Sequence, residues 1–230
     1  MKAILLAAGL GTRLRPLTNT IPKCMVPIHG KPLLGYWLDL LLSDGVNLIL
    51  INTHYMPEQV IRYVNESPWR KSICLVHEDE LLGTGGTVYK NKGFAENQAL
   101  MVVHADNLTR FKPSDFIAAH MNRRPGTCMT MMTFETDAPH TCGIVEIDKW
   151  GVVTAFHEKV SNPPGIRANA AVYIIEPSVI DLIASFNKAF CDISTEVLPL
   201  LMGKIQTFHN IDYHRDIGTL ESLALAEKEF

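Results

Sequence analysis

Residues 2–14 read Lys2-Ala3-Ile4-Leu5-Leu6-Ala7-Ala8-Gly9-Leu10-Gly11-Thr12-Arg13-Leu14. After Lys2 the run to Ala8 is continuously apolar. A strand with one wet face would alternate, so this run suits a central parallel strand covered on both faces. It stops at Gly9, and residues 9–30, rich in Gly, Pro, Thr and Asn, read as a long loop. Glycines directly after a strand let backbone N–H groups approach an anion closely. Arg13 adds a planar fork that matches phosphate geometry. A tight turn with no ligand accounts for the same glycines, and both readings stay open at this point.

Working outward, Pro32 opens a helix through about Ser43, which Gly45 stops. Val46–Asn52 is a second strand, and Pro57–Glu66 is a helix with Val60, Ile61 and Val64 on one face. Ser72–Glu78 is a third strand, followed by a loop, Leu82-Gly83-Thr84-Gly85-Gly86, and a short helix. Ala99–His104 is a fourth strand, with Asp106 just past its end. Strands alternating with helices over residues 1–120 predict an α/β domain with a mainly parallel sheet. Strand-like runs then fall at 127–134, 143–147, 152–157 and 168–175, with helices at 177–186, 194–202 and 219–229. With no Pro/Gly/Ser-rich linker, the expectation is one domain, 1–230, with lobes 1–120 and 121–230. Its cleft is expected at the carboxyl ends of the first strands.

Of 230 residues, 47% are hydrophobic and 20% charged, which excludes a disordered chain. With 21 Lys+Arg against 24 Asp+Glu the net charge is −3, the wrong sign for a general nucleic-acid or membrane-surface binder. The balance is uneven, however. Residues 1–38 carry Lys2, Arg13, Arg15, Lys23 and Lys31 and no acid, so the positive charge sits in the glycine loop and the segment after it. Five widely spaced cysteines form no C-x-x-C motif and fit reduced thiols in a cytoplasmic protein. No apolar run approaches about 18 residues, so no transmembrane helix is expected. Lys2 to Gly11 imitates a signal peptide, but Arg13 and Arg15 follow with no polar cleavage region.

Two nucleotide motifs are excluded. A dinucleotide fingerprint needs glycine where Leu14 stands, and a P-loop needs Ser or Thr where Pro32 follows Gly30-Lys31. Other candidates are individually weak. Lys23 lies between Pro22 and Pro27, which stiffen its loop and aim a point charge at low entropic cost, although a solvated surface lysine has the same sequence. Glu78 and Gly83–Gly86 could pass a flat base over backbone, or form an ordinary turn. Asp106 and Asp216 each follow an apolar or turn segment. Two such carboxylates suit Mg²⁺, which takes few protein ligands, though capping is the commoner use of Asp at such positions. Glu158, Lys159 and Asn169 suit a sugar phosphate, or a charged strand end.

Taken together, Gly9–Leu14 with Pro16 and Thr18, Pro22-Lys23 to Pro27, Leu82–Gly86, Asp106, Glu158-Lys159, Asn169 and Asp216-Ile217-Gly218-Thr219 with Glu221 resemble the sugar-1-phosphate nucleotidylyltransferases over about residues 1–225. The resemblance implies a Rossmann-like three-layer α/β/α nucleotidyltransferase fold with a mixed, mainly parallel sheet. It implies Mg²⁺ held by Asp106 and Asp216, with Arg13 on the leaving pyrophosphate and Lys23 on the NTP phosphates. Ala8, Gly9, Gly11, Thr12, Glu78, Gly83 and Thr84 would bind the nucleotide. Gly143, Glu158, Lys159 and Asn169 would bind the sugar phosphate. The details are most similar to the mannose- and manno-heptose-1-phosphate guanylyltransferases, which favours GTP and a role in nucleotide-sugar supply for polysaccharides. Uridylyl or thymidylyl transfer to an N-acetylmuramic acid or glucose 1-phosphate is the alternative, and a non-catalytic sensor the third reading. A homodimer is allowed; nucleic acid and membrane are not expected as partners. The chain departs from the family's pattern at Ala105, at Ala171 where glycine is frequent, and at Leu220. No hexapeptide-repeat domain, and so no acyl transfer, is expected.

Overall fold

The computed structural model describes residues 1–230. In chain order its strands and α-helices are β1 (Lys2–Leu6), β2 (Pro27–Ile28), β3 (Lys31–Pro32), α1 (Leu33–Leu42), β4 (Leu48–Thr53), α2 (Pro57–Glu66), β5 (Ile73–His77) and α3 (Gly83–Lys90). There follow β6 (Leu100–His104), β7 (Asn107–Arg110), α4 (Pro113–Met121), β8 (Met129–Glu135), β9 (Gly143–Ile147) and β10 (Val153–Glu158). The chain continues through β11 (Arg167–Ile175), α5 (Pro177–Ser185), β12 (Ile205–His209), β13 (Tyr213–Asp216) and α6 (Leu220–Glu229). The expected mixed α/β class holds.

Two compact units form, and both are discontinuous in sequence. One is Met1–Leu81, Val103–Pro113 and Asp212–Phe230; the other is Leu82–Val102 and Ser114–Ile211. They therefore divide the chain differently from lobes meeting at residue 120.

In the first unit β1 pairs parallel with β4, and β4 with β5, in an unbroken register from Lys2↔Leu48 to Leu6↔Asn52 and from Ile49↔Ile73 to Thr53↔His77. Ala3, Ile4 and Leu5 are fully buried, as a two-faced parallel strand requires. Helix α1 begins after Pro32 and buries Leu33, Leu34, Trp37, Leu38 and Leu41 along one stripe. Helix α2 buries Val60 and Val64, whereas Ile61, expected on the same face, is 40% exposed. A separate antiparallel ribbon joins β7 to β13, with Asp216 opposite Asn107. Neither strand was foreseen, because both are short and polar.

In the second unit β11 runs antiparallel to β8 and to β9, β10 antiparallel to β9, and β12 parallel to β8. Helix α4, β12 and the polar join at His120 are additions to the sequence reading. The His120 ring is fully buried, 2.8 Å from the Thr130 hydroxyl and 3.0 Å from Glu176 Oε1. Arg123 also contacts Glu176, at 2.5 Å. The helix expected at 194–202 is instead a π turn, Ile193–Val197, and a 3₁₀ turn, Leu198–Leu201. Pro199 lacks the N–H that an α-helix would use there. Asp192 caps the turn by accepting from the Thr195 N–H at 3.0 Å.

Candidate active site

The first unit gathers Arg13, Lys23, Asp106 and Asp216. Lys23 Nζ lies 2.7 Å from Asp106 Oδ2 and 3.3 Å from Asp216 Oδ1, partners 83 and 193 residues away in the chain. Arg13 Nη2 lies 3.6 Å from the other Asp216 oxygen.

Local structure explains each position. Lys23–Met25 forms one 3₁₀ turn after Pro22. Asp106 follows β6, where the Ala105 N–H donates to Leu6 C=O at 3.1 Å and so prolongs the sheet by one rung. The Trp37 indole N–H donates to Asn107 C=O at 2.8 Å on its other side. The ribbon of β7 and β13 brings Asp216 to the same place. Arg13 and Asp216 each stand beside a buried apolar residue, Leu14 and Ile217, which lie in one cluster with Val26, Ile28, Leu33 and Leu108. Leu14, which removes the dinucleotide fingerprint, is thus the core anchor of the glycine loop.

Two glycines are dictated by this packing. Gly11 has φ 63°, and a Cβ there would lie 3.0 Å from the Thr18 methyl and 3.1 Å from Lys23 Cβ. Thr18 closes the same turn by donating to Gly11 C=O at 2.7 Å. A Cβ on Gly218 would lie 2.7 Å from Asp216 Oδ2 and 3.0 Å from both terminal nitrogens of Arg13. Gly218 therefore makes room for the Arg13–Asp216 pair, a role the motif did not reveal.

The electrostatics favour the charged forms. Burial works against the Lys23 ammonium, but Asp106 and then Asp216 outweigh it and raise its pKa. Burial likewise works against the Asp106 carboxylate, and Lys23 followed by His104 holds it below the usual range. Burial pushes the Cys24 thiol up to about 12, with Asp106 adding to it, so this cysteine is no thiolate nucleophile. Asp106 and Asp216 already converge on one cationic nitrogen. Their hard oxygens are the donor type that a divalent cation takes, and these two residues could hold Mg²⁺.

The nucleotide candidates separate. Gly9 and Leu10 are exposed, Ala8 is buried, and Thr12–Leu14 is a 3₁₀ turn. Glu78 is only 1% exposed and accepts from Asn52 Nδ2 at 3.0 Å. Gly83 and Thr84 belong to the second unit, and the glycines there begin α3 rather than forming a loop before it. The Gly85 and Gly86 N–H groups donate to Cys191 C=O at 2.9 and 3.1 Å. A Cβ on Gly83 would overlap the Cys191 carbonyl, and one on Gly86 the Ala189 carbonyl. Close backbone packing thus explains these glycines without a base. Thr84 donates to Asp192 at 3.1 Å and accepts from the Ile193 N–H at 2.7 Å.

The sugar-phosphate candidates all lie in the second unit. Gly143 faces Glu158 across β9 and β10, and a Cβ there would lie 2.5 Å from the Phe156 ring and 2.7 Å from Glu158 Oε2. Lys159 pairs with Glu158 at 3.2 Å and is well exposed. Asn169 donates to the Tyr173 hydroxyl at 2.7 Å and accepts from the Ala171 N–H at 2.9 Å. Tyr173 and the bulge between residues 169 and 173 were not foreseen.

The nucleotidyl transferase family model matches residues 2–230, and the chain belongs to that family. It is 32% identical over 224 residues to the mannose-1-phosphate guanylyltransferase of Mycobacterium tuberculosis, spanning 95% of this chain and 61% of that protein. Among solved structures it is similar to HddC from Yersinia pseudotuberculosis complexed with GMP-PN, with TM-score 0.83, 27% identity, and coverage of 100% of this chain and 99% of that one. A Bacillus anthracis chain in complex with a sucrose has TM-score 0.89 at 20% identity, covers 99% of this chain and 94% of that one, and shows the fold alone.

Proposed function

We propose that this chain transfers a nucleotidyl group from GTP to a mannose- or manno-heptose-type sugar 1-phosphate, giving a nucleotide sugar and pyrophosphate. The observation that carries the proposal is the convergence of Lys23 on Asp106 and Asp216, with Arg13 alongside. In the reaction a phosphate oxygen of the sugar 1-phosphate attacks the α-phosphorus in line, that P–O bond forms, and the bond to pyrophosphate breaks. The attacking oxygen is already ionised near neutral pH, so no general base is required. What the chain must provide is position and positive charge.

Asp106 and Asp216 would hold Mg²⁺, which when bound supplies Lewis-acid charge neutralisation at the phosphates. Arg13 holds the leaving pyrophosphate with its planar fork. Lys23 neutralises the NTP phosphates, and its pairing with two carboxylates keeps it cationic and aimed. Lys159, exposed at the end of β10, binds the sugar phosphate, while Glu158 reads sugar hydroxyls. Asn169 shapes that region through Tyr173 and Ala171. The similarity to guanylyltransferases and to a chain solved with GMP-PN supports GTP. Five free cysteines fit a reducing, cytoplasmic site of action.

The test is pyrophosphate release with Mg²⁺ from four NTPs against mannose-, manno-heptose-, glucose- and muramyl-type 1-phosphates. GTP with a manno-configured sugar is the expected best pair. UTP or dTTP as best donor would overturn the base assignment. Tight nucleotide binding with no turnover would favour a sensor.

A further inference from the structure

Strand β1 ends at Leu6, in register with Asn52 of β4. The next residue has left the ladder, yet its N–H is not lost to water: Ala7 donates to the side-chain Oδ1 of Asn52 at 2.8 Å. The other end of that amide, Nδ2, donates to Glu78 Oε1 at 3.0 Å. Glu78 in turn is fixed by its backbone. Its N–H donates to Thr53 C=O at 2.9 Å, and its C=O lies 2.7 Å from His54 Nδ1. Asn52 and Glu78 are 2% and 1% exposed.

A buried carboxylate and a buried N–H are each costly unless bonded. An asparagine amide offers an acceptor on one side and donors on the other, so one side chain serves both the Ala7 N–H and one oxygen of Glu78, Oε1. The result is a side-chain rung that prolongs the sheet from β5 through β4 to Ala7, the residue after β1 and two before Gly9.

We infer that Asn52 and Glu78 are a positioning pair that fixes the Ala7–Gly11 backbone for the nucleotide, and that Glu78 acts through Asn52 rather than by touching the base. The inference rests on the proposed nucleotide site. Asn52→Ala removes the rung. Asn52→Asp keeps the acceptor for Ala7 but turns a second carboxylate toward Glu78. Adding Glu78→Gln to that variant restores donor to acceptor with the direction reversed.

The experiment measures hydrogen exchange at the Ala7 amide without substrate, together with NTP KM and kcat, for wild type, N52A, N52D, E78Q and N52D/E78Q. Expected are Ala7 exchange and NTP KM raised about 10-fold in N52A and N52D, the worth of about one net hydrogen bond, with kcat changed less than about threefold. Both return to within about threefold of wild type in N52D/E78Q. The double variant's preference among GTP, ITP and ATP stays that of wild type. Failure of the double variant to restore Ala7 protection overturns the pair. A changed purine preference in E78Q and N52D/E78Q overturns the indirect role of Glu78. If N52A does not fold, N52D against N52D/E78Q carries the test. A wild type inactive on every NTP sinks the proposed function alone, because the Ala7 exchange series still reads the pair.

Discussion

Asp216 meets Lys23 through one oxygen and Arg13 through the other, yet its side chain is 46% exposed. Exposed ion pairs add little to stability because water screens them. Its removal should therefore be felt in rate and not in folding. Asp216→Ala is expected to lower pyrophosphate release by about 10²–10⁴-fold, or about 3–5 kcal/mol of transition-state stabilisation, with the unfolding free energy changed by less than about 1 kcal/mol. Full activity would remove Asp216 from the cation site. Ala171 is the opposite case. The structure gives it φ 54°, a left-handed conformation that costs an L-residue about 1–2 kcal/mol. The bulge in β11 that produces this angle is a long-range feature and leaves no local signature. Ala171→Gly relieves the strain but frees the unfolded chain, so the net expectation is about 0.5–1 kcal/mol of added stability in urea unfolding. A destabilised variant would overturn this account.

At the scale of elements, two glycine-rich segments look alike in sequence and do different work. Around Gly9 a Cβ would meet nothing within 4 Å; on Gly83 or Gly86 it would overlap a carbonyl of residues 189–191. The first segment is open, whereas the second is a packing joint between α3 and the chain before the π turn. Spacing could not separate them, because the partner of the second lies about a hundred residues on. Gly83→Ala, with φ 71° besides the overlap, is expected to cost about 1–3 kcal/mol. Gly9→Ala should leave the thermal midpoint near wild type and raise the NTP KM, since a methyl there blocks only a ligand. Equal thermal losses in both variants would erase the distinction. Helix α4 poses a pH question. Burial, then Arg123, depresses the His120 pKa, with Glu176 opposing only in part. A depressed histidine stabilises fully above its unfolded value of about 6.5 and loses that contribution as pH falls below it, by at most about 1.4 kcal/mol per pH unit. Wild-type urea midpoints should therefore drop between about pH 6.5 and 5, and those of His120→Gln should drop less; parallel slopes would rule out His120.

Across the whole molecule, the parallel strands β1 and β4 of the first unit were legible because a two-faced buried strand writes itself as a continuous apolar run. The β7–β13 ribbon was not, because Asn-Leu-Thr-Arg and Tyr-His-Arg-Asp carry no such pattern and pair only across the chain's length. That ribbon is what brings Asp216 to Asp106, so the charged set was readable only through its resemblance to a family, whereas its geometry follows from the ribbon. Charge was legible in the same partial way. A net −3 conceals a segment, residues 1–38, with five basic residues and no acid. Arg13 from that segment has a well-exposed side chain, whereas Lys23 is buried between carboxylates. Salt screens the first far more than the second. If the segment receives a triphosphate, raising ionic strength from about 50 to about 500 mM should increase the NTP KM several-fold while kcat changes little. Arg13→Ala should flatten that dependence, because the exposed cation is the screened one. A KM indifferent to salt, or an unchanged slope in the variant, would mean that the positive segment does not receive the polyanion.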